Sequence, residues 1–297
     1  MTTIMDSSNH LRPRYRHDIT CKTENRIDDF PNKIRPYSSE KANSFSQCTT
    51  NLSSTCFQDI TRITAGIPSP QYTLQESLSQ HQDSLVALSG GLDSFLIASL
   101  IHRTTGRWPP VATLVSHLAN YCEVKETERV AKQIGITDLI IIEADEEDFL
   151  DSLVSAIKSM EVPLYNLHPV SKWIFANKIK QLGFDLCLTG DGADQIFDHD
   201  DGHDYLPLVG AIFADLEIDL ICPLYRSDLL PIRSDSDKTF LRELAKDLLP
   251  QNFVWRKKRR RLAPFMDLKR FHKYPEGMNE KESTLYVTQH LLQITHS

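Results

Sequence analysis

The sequence lacks a long hydrophobic run, a closely spaced cysteine pair and an excess of basic residues. Because no stretch of about eighteen apolar residues is present, we expect no transmembrane helix and no membrane partner. The N-terminus also lacks the charged-then-apolar pattern of a secretory signal. The six cysteines include no C-x-x-C pair, which favours reduced thiols and a cytoplasmic location. The net charge of -7 argues against a nucleic-acid partner.

The composition divides the chain into three segments. Residues 1–80 begin with a stretch rich in small polar and charged residues, which cannot bury enough apolar area to offset the entropy of ordering. We therefore predict a flexible or vestigial N-terminal region there. Residues 81–272 are predicted to form the folded domain, and residues 273–297 a C-terminal tail.

Strand and helix patterns alternate from residue 85 onward. Short apolar runs predict strands over residues 85–88, 111–115, 139–142 and 186–188. Helical spacing predicts helices over residues 94–102, 126–134, 147–160 and 171–182. This alternation predicts an α/β fold, a parallel sheet with helices on both faces. Ligands in such folds bind at the carboxyl ends of the strands, beside a switch in strand order.

A glycine-rich loop, Ser89-Gly90-Gly91-Leu92-Asp93-Ser94, follows the first predicted strand. The paired glycines let the backbone amides approach an anion, and the next helix points its positive end at the same place. The hydroxyls of Ser89 and Ser94 can donate to phosphate, and Asp93 can hold a magnesium ion. The loop is not a Walker motif. A capped strand-to-helix turn without a ligand is the alternative interpretation.

A second such loop, Thr189-Gly190-Asp191-Gly192-Ala193-Asp194, follows the fourth predicted strand. Its glycines again allow close backbone approach. Asp194 is predicted to be a second magnesium ligand opposite Asp93, and Asp191 lies on backbone that can approach a ligand. An acidic turn is the alternative, but both loops should face the same edge of a parallel sheet.

The first loop resembles the signature of the ATP pyrophosphatases, or PP-loop family. The second resembles that of the asparagine synthetase branch, which also contains β-lactam synthetases and lasso-peptide cyclases. The resemblance implies an adenine nucleotide alpha hydrolase-like fold that uses ATP and Mg²⁺. It also implies adenylation of a small-molecule or peptide carboxylate, release of pyrophosphate, and transfer of the acyl group to an amine. The implied nucleotide contacts are Ala87, Leu88, Ser89, Gly90, Gly91, Leu92, Asp93, Ser94, Val115, Thr189, Gly190 and Arg256, with Asp93 and Asp194 as magnesium ligands.

A third match lies downstream, where Arg256 and Lys258 fall on the family's Arg-x-Lys pattern after Leu249-Pro250. The resemblance implies that Lys258 stabilises negative charge during adenylation and acyl transfer, as a fixed cation near developing charge can. In the mechanism we hypothesise from these motifs, Asp191 orients or deprotonates the amine. A solvated basic face or a nucleic-acid patch is the alternative for residues 256–261.

The N-terminal region departs from the family. Thr2 stands where the glutamine-hydrolysing domain has its cysteine nucleophile, although residues 57–66 are similar to the end of that domain. The chain is therefore expected to lack its own glutaminase activity. The amine would come from free ammonia, from a separate glutaminase partner, or from a substrate such as a precursor peptide. A role in specialised metabolism or in peptide modification or cyclisation is expected.

Several positions of the acceptor side also depart from the family pattern. They are Gln195, Ile221, Arg226, Arg260 and Arg261. These changes leave open a catalytically inactive binding or scaffold subunit, and the basic run leaves open a tRNA-modifying ATP pyrophosphatase. The acidic stretch 198–204 is either a solvated loop or a metal site, with the solvated loop favoured.

Overall fold

The computed structural model describes residues 70–116, 118, 122–197, 206–225, 238–257 and 266–295. The α/β fold predicted from the sequence is confirmed, because five parallel strands form one sheet in the order β3-β2-β1-β4-β5. The strands are β1 (Leu85–Ala87), β2 (Val111–Ser116), β3 (Leu139–Ala144), β4 (Leu186–Leu188) and β5 (Asp219–Ile221).

Helices connect the strands and cover the sheet. The first half contains α1 (Pro70–Ser79), α2 (Leu92–Thr105), α3 (Cys122–Gln133), α4 (Glu146–Met160) and α5 (His168–Gln181). The second half contains α6 (Ala193–Phe197), α7 (Leu206–Asp215), α8 (Thr239–Ala245), α9 (Gln251–Val254), the 3₁₀ turn Leu268–Arg270 and α10 (Glu280–Thr295).

The strand order reverses at the centre of the sheet. Val86 in β1 pairs with Val111 in β2 on one side and with Leu188 in β4 on the other. The chain runs outward from β1 to β3, crosses back to β4 and runs outward again to β5. The gap between the ends of β1 and β4 is therefore the switch point at which α/β folds bind ligands.

The local sequence explains why α2 lies beneath this gap. Its residues Ser94 to Ile101 are all buried, so the helix is enclosed on every side by the core. Gly91 begins the helix in an extended conformation, and Gly106 ends it in the left-handed region at φ 74°. The positive end of α2 therefore points at the end of β1.

Several elements lie outside the strand and helix predictions. Helix α1 falls inside the region predicted to be flexible, and its Leu74 and Leu78 are buried in the core. Strand β5 and helix α7 were not predicted. Residues 1–69 lie outside the described part of the chain. Within the described residues, no helix is both long and apolar enough to cross a membrane.

Helix α10 falls in the segment predicted to be a C-terminal tail, and it packs on the core. Val287 and Leu292 are buried. The Thr288 hydroxyl donates to the carbonyl of Leu164 at 2.9 Å and accepts from its amide at 2.8 Å. These contacts attach the end of the described chain to the connection between α4 and α5.

Candidate active site

The first glycine loop is closed by its own serines. The amide of Ser89 donates to Oγ of Ser94 at 3.1 Å, and that hydroxyl in turn donates to the carbonyl of Gly91 at 3.2 Å. Gly90 adopts φ 77°, which permits the turn between strand and helix. Ser94 is fully buried, so its hydroxyl shapes the loop, whereas Ser89 lies at the exposed side.

The second loop lies directly against the first. A Cβ at Gly190 would lie 3.0 Å from Cβ of Asp93 and 3.1 Å from the amide nitrogen of Ser94. Gly192, at φ 88°, is held as closely, because a Cβ there would lie 2.6 Å from Cβ of Tyr225. The predicted convergence of the two loops is therefore a direct backbone approach that only glycine accommodates.

A buried lysine joins the two loops. Nζ of Lys238 lies 2.6 Å from Oδ2 of Asp93 and 2.5 Å from Oδ1 of Asp194, and only 8% of its side chain is exposed. Burial by itself would lower the pKa of the Lys238 ammonium, but the charges and hydrogen bonds of both carboxylates outweigh burial and raise this pKa. Lys238 is therefore charged at neutral pH, within a cluster of net charge -1.

Sequence reasoning missed Lys238. The residue begins α8 in the left-handed region, at φ 53° and ψ 34°, which lysine rarely adopts. Such a conformation costs about 1 kcal/mol or more and is found where surrounding contacts enforce it. No spacing pattern marks the residue, because it comes close to its partners only in the folded chain.

The two predicted magnesium ligands meet around one cation. Asp93 and Asp194 both reach the same ammonium, so their carboxylates can share a positive centre. Magnesium commonly takes one or two carboxylates and completes its shell with phosphates and water. The donor set therefore fits this ion. Among the residues that the structure describes, no group of three or more His, Cys, Asp or Glu side chains is arranged for a metal.

Arg256 reaches the first loop from the C-terminal part of the domain. Its Nη2 donates to the carbonyl of Gly90, and its Nη1 lies 3.4 Å from Oε1 of Glu126. Its guanidinium also lies 4.3 Å from the centre of the Phe253 ring. The buried Arg242 donates to the carbonyls of Val254 and Arg256, and so fixes the segment that carries Arg256.

Asp191 is paired with a second lysine that sequence reasoning did not identify. Nζ of Lys172, in the second turn of α5, lies 2.6 Å from Oδ2 of Asp191. About a third of each side chain is exposed. Burial is the main cause that raises the pKa of the Cys187 thiol, and the nearby charges of Lys172 and Asp191 change this pKa less and in opposite directions. Cys187 is therefore a structural thiol.

The remaining predicted nucleotide contacts lie at the ends of the central strands. Leu88 and Val115 are buried, so any contact with a ligand at these positions would be made by the backbone. Ala87 and Leu92 are half-buried beside the first loop. The amide of Thr189 donates to the carbonyl of Ile221 at 2.9 Å.

The structure describes only some of the other residues that the sequence analysis singled out. Lys258, Arg226, Arg260, Arg261 and the acidic stretch 198–204 lie outside the described residues. Gln195 lies in α6, and Ile221 is buried at the end of β5. The roles predicted for Lys258 and for the acidic stretch therefore stay predictions.

Comparison with known proteins finds similarity to asparagine synthetases. Residues 73–220 match the family model described as asparagine synthase. Asparagine synthetase 2 (glutamine-hydrolyzing) of Oryza sativa subsp. japonica is 27% identical over 121 residues, which cover 38% of this chain and 20% of that protein. Asparagine synthetase B (glutamine-hydrolyzing) of Escherichia coli strain K12 is 26% identical over 143 residues, which cover 42% and 25%.

The aligned stretches thus amount to a fifth to a quarter of the length of these curated relatives. Among solved structures, the NMN synthetase from Francisella tularensis superposes with a TM-score of 0.40 at 18% identity, over 63% of this chain and 73% of that one.

Proposed function

Because residues 73–220 belong to the asparagine synthase family, we propose that this chain is an ATP-dependent ligase that activates a carboxylate as an acyl-adenylate and transfers the acyl group to an amine. The observation that carries the proposal is the contact between the two loops at the switch point. There Lys238 spans Asp93 and Asp194, one aspartate from each loop.

In the first step, a carboxylate oxygen attacks the α-phosphorus of ATP, the bond to the bridging oxygen breaks, and pyrophosphate leaves. The amides of the first loop and the positive end of α2 support phosphate binding there. Lys238 offers a fixed cation beside the same loop, where it would offset charge on the leaving group. Magnesium held by Asp93 and Asp194 would add positive charge at the phosphates.

In the second step, the amine nitrogen attacks the acyl carbon, and the bond from that carbon to the AMP oxygen breaks. We propose that Asp191 receives the proton that the amine loses. Its position in the second loop, between Gly190 and Gly192, and its partial exposure support this role. Lys258 is proposed to stabilise the charge that develops in both steps. The amine source is proposed to be external to this chain.

Exchange of labelled pyrophosphate into ATP, over a panel of carboxylic acids, tests the first step alone. We expect exchange with at least one acid, and a loss of at least about 100-fold in Asp93→Asn, because the site then loses one of the two carboxylates proposed to hold magnesium at the phosphates. Asp151→Asn, at an exposed position of α4, is the matched control. Undiminished exchange in Asp93→Asn would contradict the proposal.

A nucleotide-binding subunit without catalysis is the second candidate, and Lys238 is the observation that favours it. Its ammonium already stands between the two predicted magnesium ligands. Titration calorimetry with ATP, with and without magnesium, separates the two candidates. The ligase requires magnesium-dependent binding, whereas ATP binding that magnesium leaves unchanged would favour the inactive subunit.

A further inference from the structure

The ion pair between Lys172 and Asp191 lies on the amine side of the proposed site. Its two charged atoms are 2.6 Å apart, and the side chains are 33% and 29% exposed. The pair is therefore neither a fully solvated surface contact nor sealed in the core. A ligand that enters the site can reach both charges.

The two partners differ in how far they can move. Asp191 is held on both sides, because Gly190 abuts Asp93 and Gly192 abuts Tyr225. Lys172 carries its charge at the end of a flexible four-carbon stem on α5. An arriving ligand can therefore draw the ammonium aside while the carboxylate of Asp191 stays in place.

The charge of Lys172 restricts which amines can use Asp191. An amine reaches the site in water mainly as an ammonium, and it must then share Asp191 with a second positive charge. If the ligand has no negative group, the two cations repel each other. If the ligand carries a carboxylate beside its amine, this carboxylate can pair with Lys172 while the ligand ammonium pairs with Asp191. Each of the four charges then lies next to charges of opposite sign.

We infer that the acceptor of this ligase is an amine that carries its own carboxylate, of the α-amino acid class. Its ammonium binds Asp191 and its carboxylate binds Lys172. The ammonium gives one proton to Asp191, and the nitrogen attacks the acyl carbon. The bond from that carbon to the bridging oxygen of the acyl-adenylate breaks, AMP leaves with this oxygen, and the second proton of the nitrogen passes to the AMP phosphate or to water. The product is an N-acyl amino acid. This inference rests on the function proposed above, and it makes Lys172 a specificity residue.

The test measures binding, so the identity of the activated carboxylate is not needed. The full chain is loaded with magnesium and a non-hydrolysable ATP analogue, and its melting temperature is measured with each of the common α-amino acids and with the corresponding amino-acid amides. At least one amino acid is expected to raise the melting temperature, with an apparent affinity at least about tenfold above that of its amide. The amide retains the ammonium and lacks the carboxylate.

Variants on α5 assign the preference to one residue. Lys172→Met should reduce the preference to less than about twofold, whereas Lys172→Arg should keep most of it. Lys178→Met, on the same helix and 3.9 Å from Asp148, is the control and should leave the preference unchanged. Equal response to amino acids and amides in the wild type, or a preference that survives Lys172→Met, would overturn the inference.

Pyrophosphate exchange separates the two proposals. If pyrophosphate exchange occurs but the protein does not bind amino acids more tightly than their amides, this inference is wrong and the proposed ligase function is unaffected. Failure of exchange with every carboxylate overturns the ligase and the inference with it.

Discussion

The Lys238 ammonium lies 2.6 Å from the Asp93 carboxylate, although 145 positions separate the two residues in the chain. The same ammonium contacts Asp194, so one side chain links the loop after β1 to the loop after β4. The geometry of the candidate site and the stability of the domain therefore depend on the same cation.

Replacing Lys238 with methionine should destabilise the domain by about 3 kcal/mol, the lower end of the range for breaking a buried ion pair. The lower end applies because 37% of the Asp194 side chain is exposed. Magnesium should restore part of the loss, since a divalent cation can neutralise the two carboxylates. Urea unfolding with and without magnesium measures both effects.

The matched control for that experiment is Lys246→Met, at an exposed lysine that pairs with nearby Glu243 in α8. It should leave the free energy of unfolding nearly unchanged, because the exposed pair is screened by solvent. If Lys238→Met is as stable as this control, the buried pair does not hold the two loops together.

Replacing Gly190 with alanine should cost about 1–3 kcal/mol of stability, because the new methyl group would press on Asp93 and on the backbone of Ser94. Gly91→Ala is the control within the same site, since among the described residues its methyl group would meet only Oγ of Ser89, at 3.3 Å. That hydroxyl can rotate away. Thermal unfolding of both variants should rank Gly190→Ala as the less stable, and the reverse order would contradict a tight contact between the loops.

Arg256→Met should weaken ATP binding by about tenfold, because the charged hydrogen bond that fixes the carbonyl of Gly90 is lost. Lys257→Met, at the next position and exposed, removes the same charge without touching the loop. Titration calorimetry of the two variants distinguishes positioning of the loop from general attraction between the nucleotide and a basic segment. Equal weakening in both would support the second explanation.

His81 should make stability fall in mild acid. Burial lowers the pKa of its imidazole below the ordinary value of 6.5, so the folded state favours the neutral form. The contribution of His81 is present above the unfolded pKa and is lost as pH falls through the lowered folded pKa. His81→Gln should remove this part of the decline in the free energy of unfolding below about pH 6.5. If the free energy of unfolding of the variant depends on pH as that of the wild type does, this role of His81 is contradicted.

The sequence predicted the central strands because each is a short apolar run that ends at a turn. Strand β4 matches its predicted bounds, and β1 differs by one residue at its end. Helix α7 was missed because it follows the acidic stretch and is apolar on most faces, which hides the helical period. Strand β5 is only three residues long, and one of them is an aspartate.

The residues of the candidate site could likewise be identified from the sequence only in part. The glycines and aspartates of the two loops could be identified because each loop is continuous in sequence and follows a strand. Lys238 and Lys172 could not, since each is a single lysine on a helical segment, where a solvated surface position is the ordinary expectation. Their roles depend on contacts across the fold, and no local spacing encodes those contacts.

The separation between Asp93 and Lys238 also has a consequence for synthesis. As the chain leaves the ribosome, both glycine loops emerge before the lysine that bridges them, and Arg256 emerges 166 positions after Gly90. A nascent chain that stops before Lys238 holds two facing carboxylates without their cation. Translation past residue 256 is therefore needed before all of these contacts of the candidate site can form.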